Sequence, residues 1–438
     1  MTLIDTIYAL SSGGLPSGVA VLRMSGPSAD VVTSAVSGPL PPPRVLARRT
    51  IRDRNGLLID DALVVYFPAP ASFTGETCVE FHLHGGRATV AAVLDLLSSF
   101  DGLRHAEAGE FTRRALANGK MDLAQAEGLA DLLSAETEMQ RRLAQELASG
   151  RHSALYDGWA RRLLHARAMI EAELDFADED DVPGSVSESV WADMANLVVE
   201  MERHLDAADI SEVVRDGLKV VIHGRPNSGK SSVINALTGR DVAIVTDVPG
   251  TTRDVITADL VLNGFAIRLS DTAGIRETED VVEAEGIRRA MSALAAADII
   301  LSVSETSVYQ ELPLAYRGKL IRVRTKIDVV PVARSETYDA AISVVTGAGM
   351  TDLKQLLASC LPDVTTFQSA AAPARRRHAE GLHDSVTEIR RALEANDLTL
   401  DLRSEHLRRA ATAIGRVTGR TDVEDLLDVI FSSFCVGK

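Results

Sequence analysis

The stretch from Gly224 to Ser231, GRPNSGKS, has the residue types and spacing of a phosphate-binding loop. Its glycines allow the backbone to curl so that N–H groups point at a phosphate. Lys230 would reach the outer phosphates, and the Ser231 hydroxyl would bind Mg²⁺. The loop follows an apolar stretch, LKVVIHG, and precedes a helix-forming stretch, SSVINALTG, which is the strand–turn–helix context that the motif requires. The sequence therefore predicts a nucleoside triphosphate site here.

Two switch-like motifs follow the loop in the order that GTP-binding domains use. GTTRD, from Gly250 to Asp254, is placed as a first switch, in which Thr252 would complete the Mg²⁺ shell and sense the γ-phosphate. DTAG, from Asp271 to Gly274, follows the apolar stretch FAIRLS. Asp271 would hold Mg²⁺ through water, and the final glycine N–H would face the γ-phosphate. We therefore expect the direct protein ligands of Mg²⁺ to be Ser231 and Thr252.

A base-reading motif, TKID, runs from Thr325 to Asp328 after the strand-like stretch KLIRVR. Asp328 would accept hydrogen bonds from the N1–H and N2–H₂ groups of guanine, Lys326 would lie along the base, and SVVTG, from Ser343 to Gly347, would close over guanine O6. GTPases usually carry Asn in the place of Thr325, and a hydroxyl braces the pocket less completely than an amide. The predicted nucleotide-binding residues are Asn227, Ser228, Gly229, Lys230, Ser231, Ser232, Thr246, Asp247, Val248, Pro249, Gly250, Thr251, Thr252, Asp271, Thr272, Ala273, Gly274, Thr325, Lys326, Asp328, Ser343 and Val344.

The second switch lacks the glutamine that orients the attacking water in Ras-like enzymes, because Ile275 follows its glycine. Another group must supply positive charge between the β- and γ-phosphates, and a monovalent cation would serve. Asn227 offers an amide oxygen inside the loop. Glu283 is a candidate for positioning the water, although a solvated glutamate is the more ordinary interpretation of a switch-loop position. The predicted K⁺ ligands are Asn227 and the backbone carbonyls of Thr246, Val248 and Thr251.

Composition limits the class of protein. The chain has 438 residues, a formal net charge of −16 and three cysteines. The acidity argues against a dedicated nucleic-acid coat protein, and so few cysteines argue against a disulfide framework and favour a reducing compartment. The opening MTLIDTIYALSSGG lacks the basic region of a signal peptide, and no apolar run is long enough to span a bilayer. We expect a cytoplasmic protein without a membrane segment.

Secondary-structure patterns divide the chain into four segments. Residues 1–119 mix strand-like runs with turns, and polar and apolar residues alternate in CVEFHLHGG, so an α+β domain is expected. Residues 120–214 favour helix, as in MDLAQAEGLADLLSAETEMQRRLAQELASG, which has no proline and few β-branched residues. Strands and helices alternate over 215–369, and helix returns over 370–438. The prediction is a multidomain α/β protein: a Ras-like P-loop domain with a doubly wound sheet, inserted in a helical domain that follows the α+β domain.

Several motifs together resemble the MnmE (TrmE) family of tRNA modification GTPases: GRPNSGKSS, TDVPGTTRD, DTAGIRETED and the terminal FCVGK. AGEFTRRALANGKMDLAQAE, from Ala108 to Glu127, is similar to the family's N-terminal signature. The resemblance covers nearly the whole chain, and the signature and the terminal pentapeptide are its specific parts, because Era- and Der-like proteins share the GTPase motifs. One departure is SSGGLPSGVA, which has Pro16 and no arginine where family members carry a Gly- and Arg-rich loop.

The resemblance implies a potassium-stimulated GTPase in which Glu283 acts on the water. It implies a homodimer formed through a folate-binding N-terminal domain. With an FAD-dependent MnmG-type partner, such a protein modifies C5 of the wobble uridine of certain tRNAs. The carbon comes from 5,10-methylene-tetrahydrofolate, of which 5-formyl-tetrahydrofolate is an analogue. The implied folate-binding residues, which would otherwise be interpreted as a strand-face glutamate and surface cations, are Arg23, Glu80, Lys120 and Lys438.

Cys435 is fourth from the last position of the chain. A free cysteine is often a small buried apolar residue. The alternative is a thiol at a cofactor site, where the charge of Lys438 would favour the thiolate. Attack of that thiolate on C6 of a uracil ring would make C5 nucleophilic, so Cys435 is a candidate catalytic residue under the family resemblance.

A second interpretation is a GTP-switched scaffold, such as a ribosome-assembly GTPase of the Era or Der type, whose N-terminal domain only dimerises. FCVGK and the Ala108–Glu127 signature favour the first interpretation, because a scaffold has no use for a folate pocket. The acidity indicates that tRNA binding is weak or shared with a partner. The local basic candidates are Arg161, Arg162 and Arg375–Arg377.

Overall fold

The structure is a computed structural model of the chain. It describes residues 5–175, 186–206, 208–242, 257–271, 288, 291–312, 316, 318–330, 332, 337–362, 373, 375–394, 399–420, 431, 434 and 437. The chain packs as two compact units: one comprises Met1–Ala130, Glu146–Ala195 and Asp384–Lys438, and the other comprises Asp131–Gln145 and Asn196–His383. The domain boundaries expected after residues 119, 214 and 369 remain predictions.

Strands and helices are numbered along the described chain. The strands are β1 (Thr6–Leu10), β2 (Ser17–Ser25), β3 (Ala47–Arg52), β4 (Leu58–Phe67), β5 (Cys78–Gly85), β6 (Leu103–His105), β7 (Leu218–His223), β8 (Thr257–Leu262), β9 (Phe265–Asp271), β10 (Ile299–Ser304), β11 (Lys319–Arg324) and β12 (Ala340–Ala341). The helices are α1 (Ala29–Ser37), α2 (Arg87–Ser98), α3 (Glu110–Ala117), α4 (Leu123–Ser134), α5 (Glu138–Ala148), α6 (Arg151–Asp175), α7 (Val186–Leu205), α8 (Ala208–Asp216), α9 (Lys230–Val242), α10 (Met350–Ala358), α11 (Arg376–Glu394) and α12 (Leu400–Thr418). Among these helices, none is both long enough and apolar enough to cross a membrane.

The first unit contains a six-stranded sheet in the order β3-β4-β5-β2-β1-β6. Neighbouring strands are antiparallel except β1 and β6, which are parallel. Along β5, Val79, Phe81 and Leu83 are buried in a core that includes residues of α1 and α2. Glu80 and His82 are only partly buried and lie on the other face of the strand. The alternation predicted for CVEFHLHGG is therefore confirmed.

The stretch MDLAQAEGLADLLSAETEMQRRLAQELASG, which was predicted to favour helix, contains the two helices α4 and α5. The backbone N–H of Gln125 donates to Asp122 Oδ1 at 2.8 Å, and the N–H of Asp122 donates to Gln125 Oε1 at 3.0 Å. Thr137 and Gln140 make the same reciprocal bonds at 3.0 and 3.2 Å before α5. Both pairs are capping boxes, in which a polar side chain satisfies free N–H groups at a helix start. These caps set the beginnings of α4 and α5.

Helices from the two predicted helical segments pack together within the first unit. Trp159, Leu163 and Ile170 of α6 are buried. Helix α12 packs along α6, and the guanidinium of Arg403 in α12 lies 3.6 Å from the centre of the Trp191 ring in α7. The fold thus brings together stretches that are separated in sequence by the second sheet.

The second unit contains a six-stranded sheet in the order β12-β11-β10-β7-β9-β8. Its strands pair in parallel except β8, which runs antiparallel to β9. Strand β7 is buried on both faces, because Val220 and Ile222 belong to one core and Val221 to another. A mostly parallel sheet covered on both faces is the predicted doubly wound arrangement, and the fold class is confirmed. Ligands of such sheets bind beyond the carboxyl ends of the strands.

A buried ion cluster fixes α3 in the first unit. Arg114 is fully buried, donates to Asp5 and Glu110 at 2.9 and 3.0 Å, and pairs with Glu76 at 3.2 Å. Burial opposes ionisation of Glu110, but hydrogen bonds from Arg104, a backbone N–H and Arg114 outweigh it, so the pKa of Glu110 lies below its ordinary value. Arg104 also pairs with Asp5 and Glu110 at 2.5 Å each, whereas Glu76 pairs with Arg114 alone among the described residues, so the cluster depends on the Arg114 charge most strongly at Glu76.

We predict that Arg114→Leu lowers the free energy of unfolding by about 3–5 kcal/mol, since it leaves Glu76 without its cationic partner and the buried Glu110 with only one of its two. Urea titration measures this loss. The lowered pKa of Glu110 contributes stability above the ordinary pKa of 4.5, and this contribution is lost as the pH falls. The difference in the free energy of unfolding between Arg114→Leu and the parent protein should therefore become smaller as the pH falls below 4.5.

Arg48→Leu is the matched control for Arg114→Leu. Arg48 pairs with Asp61 at 2.8 Å, but its side chain is 75% exposed, and exposed pairs contribute about 0–1 kcal/mol. Equal urea midpoints for the two variants would contradict the importance of the buried cluster.

Candidate functional site

The predicted phosphate loop lies between β7 and α9 and has the curled backbone that its glycines allow. Asn227 has φ 63° and Gly229 has φ 93°, both in the left-handed region. At Gly224 a Cβ atom would lie 2.3 Å from the carbonyl oxygen of Val303 in β10, so a larger residue would collide with the neighbouring strand. The loop thus requires glycine at this position for close packing against the sheet.

Two polar side chains point into this loop. Lys230 is buried, and its Nζ donates to the carbonyl oxygens of Gly224 at 2.8 Å and Arg225 at 3.0 Å. Burial lowers the pKa of Lys230, an effect that the carboxylate of Asp271 opposes. The hydroxyl of Ser228 is buried and has no hydrogen-bond partner among the described residues. A buried hydroxyl and a buried ammonium inside one curled loop fit a phosphate group, which accepts hydrogen bonds from both.

Ser231 and Asp271 meet beside the loop. The Ser231 hydroxyl, in the first turn of α9, donates to Asp271 Oδ2 at 2.9 Å. Asp271 ends β9, whose pairing with β7 sets Ile222 opposite Asp271 and so brings the carboxylate to the loop entrance. A hydroxyl and a carboxylate are the oxygen donors that Mg²⁺ prefers, so these two residues fit the predicted metal position.

The base-reading motif is fastened to the phosphate loop. Thr325 is buried, and its hydroxyl donates to the carbonyl oxygen of Ser228 at 2.7 Å. The ammonium of Lys326 donates to the carbonyl oxygen of Asn227 at 2.8 Å and pairs with Glu305 at 2.5 Å. Thr325 therefore braces the loop directly. Glu305 was not among the predicted site residues, although an acidic residue directly after strand β10 is a signal that could have indicated it.

The remaining predicted base residues lie after the neighbouring strands β11 and β12. Asp328 is exposed, which leaves its carboxylate accessible. Ser343 is buried, its N–H donates to Ala348 at 2.9 Å, and its hydroxyl accepts the Thr346 N–H at 3.1 Å. Val344 is half-buried beside it. The predicted site residues outside the described part of the chain are Thr246, Asp247, Val248, Pro249, Gly250, Thr251, Thr252, Thr272, Ala273, Gly274, Glu283, Cys435 and Lys438.

A cavity of about 430 Å³ in the first unit gathers three of the four implied folate residues. Arg23 donates from Nε and Nη2 to Glu80 Oε1 at 3.0 and 2.9 Å, and its guanidinium lies 5.2 Å from the Phe73 ring centre. Lys120 Nζ donates to the carbonyl oxygen of Pro70 at 3.0 Å. The volume and the aromatic wall are typical of a small-molecule site. The lining residues are Arg23, Arg44, Phe67, Ala71, Ser72, Phe73, Cys78, Glu80 and Lys120.

One histidine of CVEFHLHGG is bonded to a carboxylate. His84 Nδ1 lies 2.7 Å from the carboxylate of Asp60. Throughout the part of the chain that the structure describes, no three His, Cys, Asp or Glu side chains are grouped as metal ligands.

A curled phosphate loop after the first parallel strand, a serine–aspartate pair beside it and a base motif fastened to it define a P-loop nucleotide-binding domain. Family models match both this part of the chain and the residues that precede it. Residues 123–435 match the family model "MnmE helical domain", and residues 6–120 match "GTP-binding protein TrmE N-terminus". The chain therefore belongs to the MnmE family of tRNA modification GTPases, as its motifs predict.

Relatives match over the full length. The protein named tRNA modification GTPase MnmE from Sinorhizobium medicae is 55% identical over 442 residues, and that of Rhizobium meliloti is 56% identical over 441 residues; each alignment covers 100% of both chains. Among solved structures, Era from Aquifex aeolicus bound to GDP and aluminium fluoride matches 39% of this chain and 65% of its own, at 25% identity and a TM-score of 0.27.

We predict that Thr325→Val weakens GDP binding by about tenfold, because the buried Ser228 carbonyl loses its donor at a cost of about 1–3 kcal/mol. Titration with a fluorescent GDP analogue measures the affinity. Thr325→Ser, which keeps the hydroxyl, is the matched control and should bind as the parent does. If the valine variant binds GDP as tightly as the serine variant, the hydroxyl does not brace the pocket.

Proposed function

We propose that this chain is a potassium-stimulated GTPase that, with an FAD-dependent MnmG-type partner, modifies C5 of the wobble uridine of certain tRNAs. The carbon would come from 5,10-methylene-tetrahydrofolate. The observation that carries the GTPase part is the 2.9 Å contact between Ser231 and Asp271 beside the buried Lys230. That group has the hydroxyl, carboxylate and ammonium that a Mg²⁺-bound nucleoside triphosphate requires. Membership of the MnmE family supports the role in tRNA modification.

Each described residue of the nucleotide site has a distinct role in this proposal. Lys230 would neutralise the outer phosphates, and Ser231 and Asp271 would hold Mg²⁺. Mg²⁺ supplies Lewis-acid stabilisation of the leaving phosphate when bound. Asp328 selects guanine, because its carboxylate accepts from the two N–H groups that adenine does not present together. Thr252 would complete the Mg²⁺ shell, and Glu283 would position the attacking water.

Potassium dependence rests on Asn227. Its backbone lies in the left-handed region at φ 63°, and its side-chain amide makes no hydrogen bond within the described part of the chain. The amide oxygen is therefore available to a cation at the phosphate loop. Thr246, Val248 and Thr251 are proposed to supply the other ligands through their carbonyl oxygens.

We expect GTP turnover to be at least about tenfold faster in KCl than in an equal concentration of NaCl, since the cation stabilises the charge that develops between the phosphates. Asn227→Ala should make the two rates equal. Asn263→Ala is the matched control, because Asn263 has a similar φ of 52° in the β8–β9 turn. Equal rates in the two salts for the parent protein would remove the cation from the mechanism.

The cavity of the first unit is the proposed folate site. Ionised Glu80, oriented by Arg23, would accept hydrogen bonds from the 2-amino and N3–H groups of the pterin ring. Lys120 would meet the anionic part of the ligand, and Lys438 is proposed to join it. The folate supplies a one-carbon unit when bound, and the residues of this chain bind and orient it.

We predict that 5-formyl-tetrahydrofolate gives a measurable heat in isothermal titration, and that Glu80→Gln weakens its binding by about tenfold to hundredfold. The loss of one charged hydrogen bond costs about 1.5–3 kcal/mol, which corresponds to that range. Asp61→Asn, an exposed carboxylate paired with Arg48, is the control. If the chain were a scaffold of the Era or Der type, titration of the parent protein with 5-formyl-tetrahydrofolate should give no heat.

tRNA binding is proposed to be weak or shared with the partner. Two of the basic candidates are neutralised, because Arg162 pairs with Asp193 and Arg375 with Asp131, each at 2.6 Å. The net charge of −16 also weakens binding of tRNA, because it repels the negatively charged phosphate backbone. A homodimer through the N-terminal domain, a catalytic role for Cys435 and a cytoplasmic location belong to the same proposal.

A further inference from the structure

Arg44 lines the cavity of the first unit and was not among the predicted ligand residues. Its backbone has φ 62°, a conformation that non-glycine residues adopt rarely and at a cost. Its N–H donates to the carbonyl oxygen of Tyr66 at 2.8 Å, which holds the residue against the end of β4. Backbone strain of this kind is concentrated where a side chain must be aimed at a ligand.

The guanidinium of Arg44 is held by neutral groups. Its Nη2 donates to the carbonyl oxygen of Ala71, and it lies 5.8 Å from the centre of the Phe67 ring. Lys120 is held in the same way, by the carbonyl oxygen of the adjacent Pro70. Carbonyl oxygens and an aromatic face orient a cation without cancelling its charge.

The charge of this cavity is not balanced by the described residues. Arg23 is offset by Glu80 at 2.9 Å. In the part of the chain that the structure covers, neither Arg44 nor Lys120 is paired with a carboxylate. Two positive charges in the lining of the cavity are therefore not neutralised by a carboxylate. In a chain with a net charge of −16, an uncompensated pair of cations in one cavity indicates an anionic ligand.

We infer that Arg44, together with Lys120, binds the carboxylates of the glutamate tail of a reduced folate, while Glu80 and Arg23 take the ring. The inference rests on the proposed folate function and adds a binding residue to it. A guanidinium presents paired N–H donors that match the two oxygens of a carboxylate, so Arg44 should select ligands that carry the anionic tail.

The test compares two ligands by isothermal titration: 5-formyl-tetrahydrofolate and a 5-formyl-tetrahydropterin that lacks the aminobenzoyl-glutamate tail. Arg44→Gln should weaken binding of the tailed ligand about tenfold to hundredfold, as expected for one charged hydrogen-bonding group, and leave binding of the tail-less ligand unchanged. Arg44→Gly should show the same loss while its melting temperature does not fall, since glycine adopts the backbone conformation of residue 44 without strain.

Arg48→Gln is the matched control, because Arg48 is an exposed arginine of the nearby strand β3 that pairs with Asp61, and it should bind both ligands as the parent does. Unchanged affinity of Arg44→Gln for the tailed ligand would overturn the inference. Equal weakening of both ligands would also overturn it, because Arg44 would then act on the shape of the cavity. If the parent binds neither ligand, the proposed folate function itself fails.

Discussion

The hydrogen bond between Ser231 and Asp271 depends on the register of two parallel strands, and the nucleotide site depends on that register in turn. Strand β7 leads into the phosphate loop, and β9 ends at Asp271 opposite Ile222 of β7. A shift by one residue would turn the Asp271 side chain to the other face of the sheet. Val220 and Ile222 pack in one core and Val221 in another, so a slip of β7 would disrupt the packing of both cores. Packing of the sheet core thus fixes the position of the Asp271 carboxylate relative to the Ser231 hydroxyl.

Both candidate ligand sites contain cations that are held by backbone carbonyl oxygens. Arg48, Arg162 and Arg375 each pair with a carboxylate, as most arginines of an acidic chain are free to do. Lys230, Lys120 and Arg44 are instead held by backbone carbonyl oxygens. A carbonyl orients the cation but leaves its charge for a ligand. Orientation by neutral groups is therefore the feature that the phosphate loop and the cavity of the first unit have in common.

Sequence spacing predicted what is local, and it missed what depends on contacts across the chain. The loop at Gly224–Ser231 follows from residue types at fixed distances, and so do strands β5, β7, β9 and β11. The helix starts at Asp122 and Thr137 were missed even though their signals, D-x-x-Q and T-x-x-Q, stand in the sequence. Arg44 could not be predicted, because its place on the cavity wall arises from Tyr66 and Ala71, more than twenty residues away.

Three described residues near the end of the sequence, Phe431, Phe434 and Gly437, are held by packing or a hydrogen bond. Phe431 and Phe434 are buried in a cluster with Ala126, and the hydroxyl of Ser11 donates to the carbonyl oxygen of Gly437 at 2.7 Å. A Cβ atom at Gly437 would lie 2.1 Å from the carbonyl oxygen of Leu10, so only glycine allows the chain to pass this close to the end of β1. Leu10 pairs with Leu22 of β2, the residue directly before Arg23. Gly437, one of the described residues of FCVGK, therefore lies against the end of the strand next to the one that supplies Arg23.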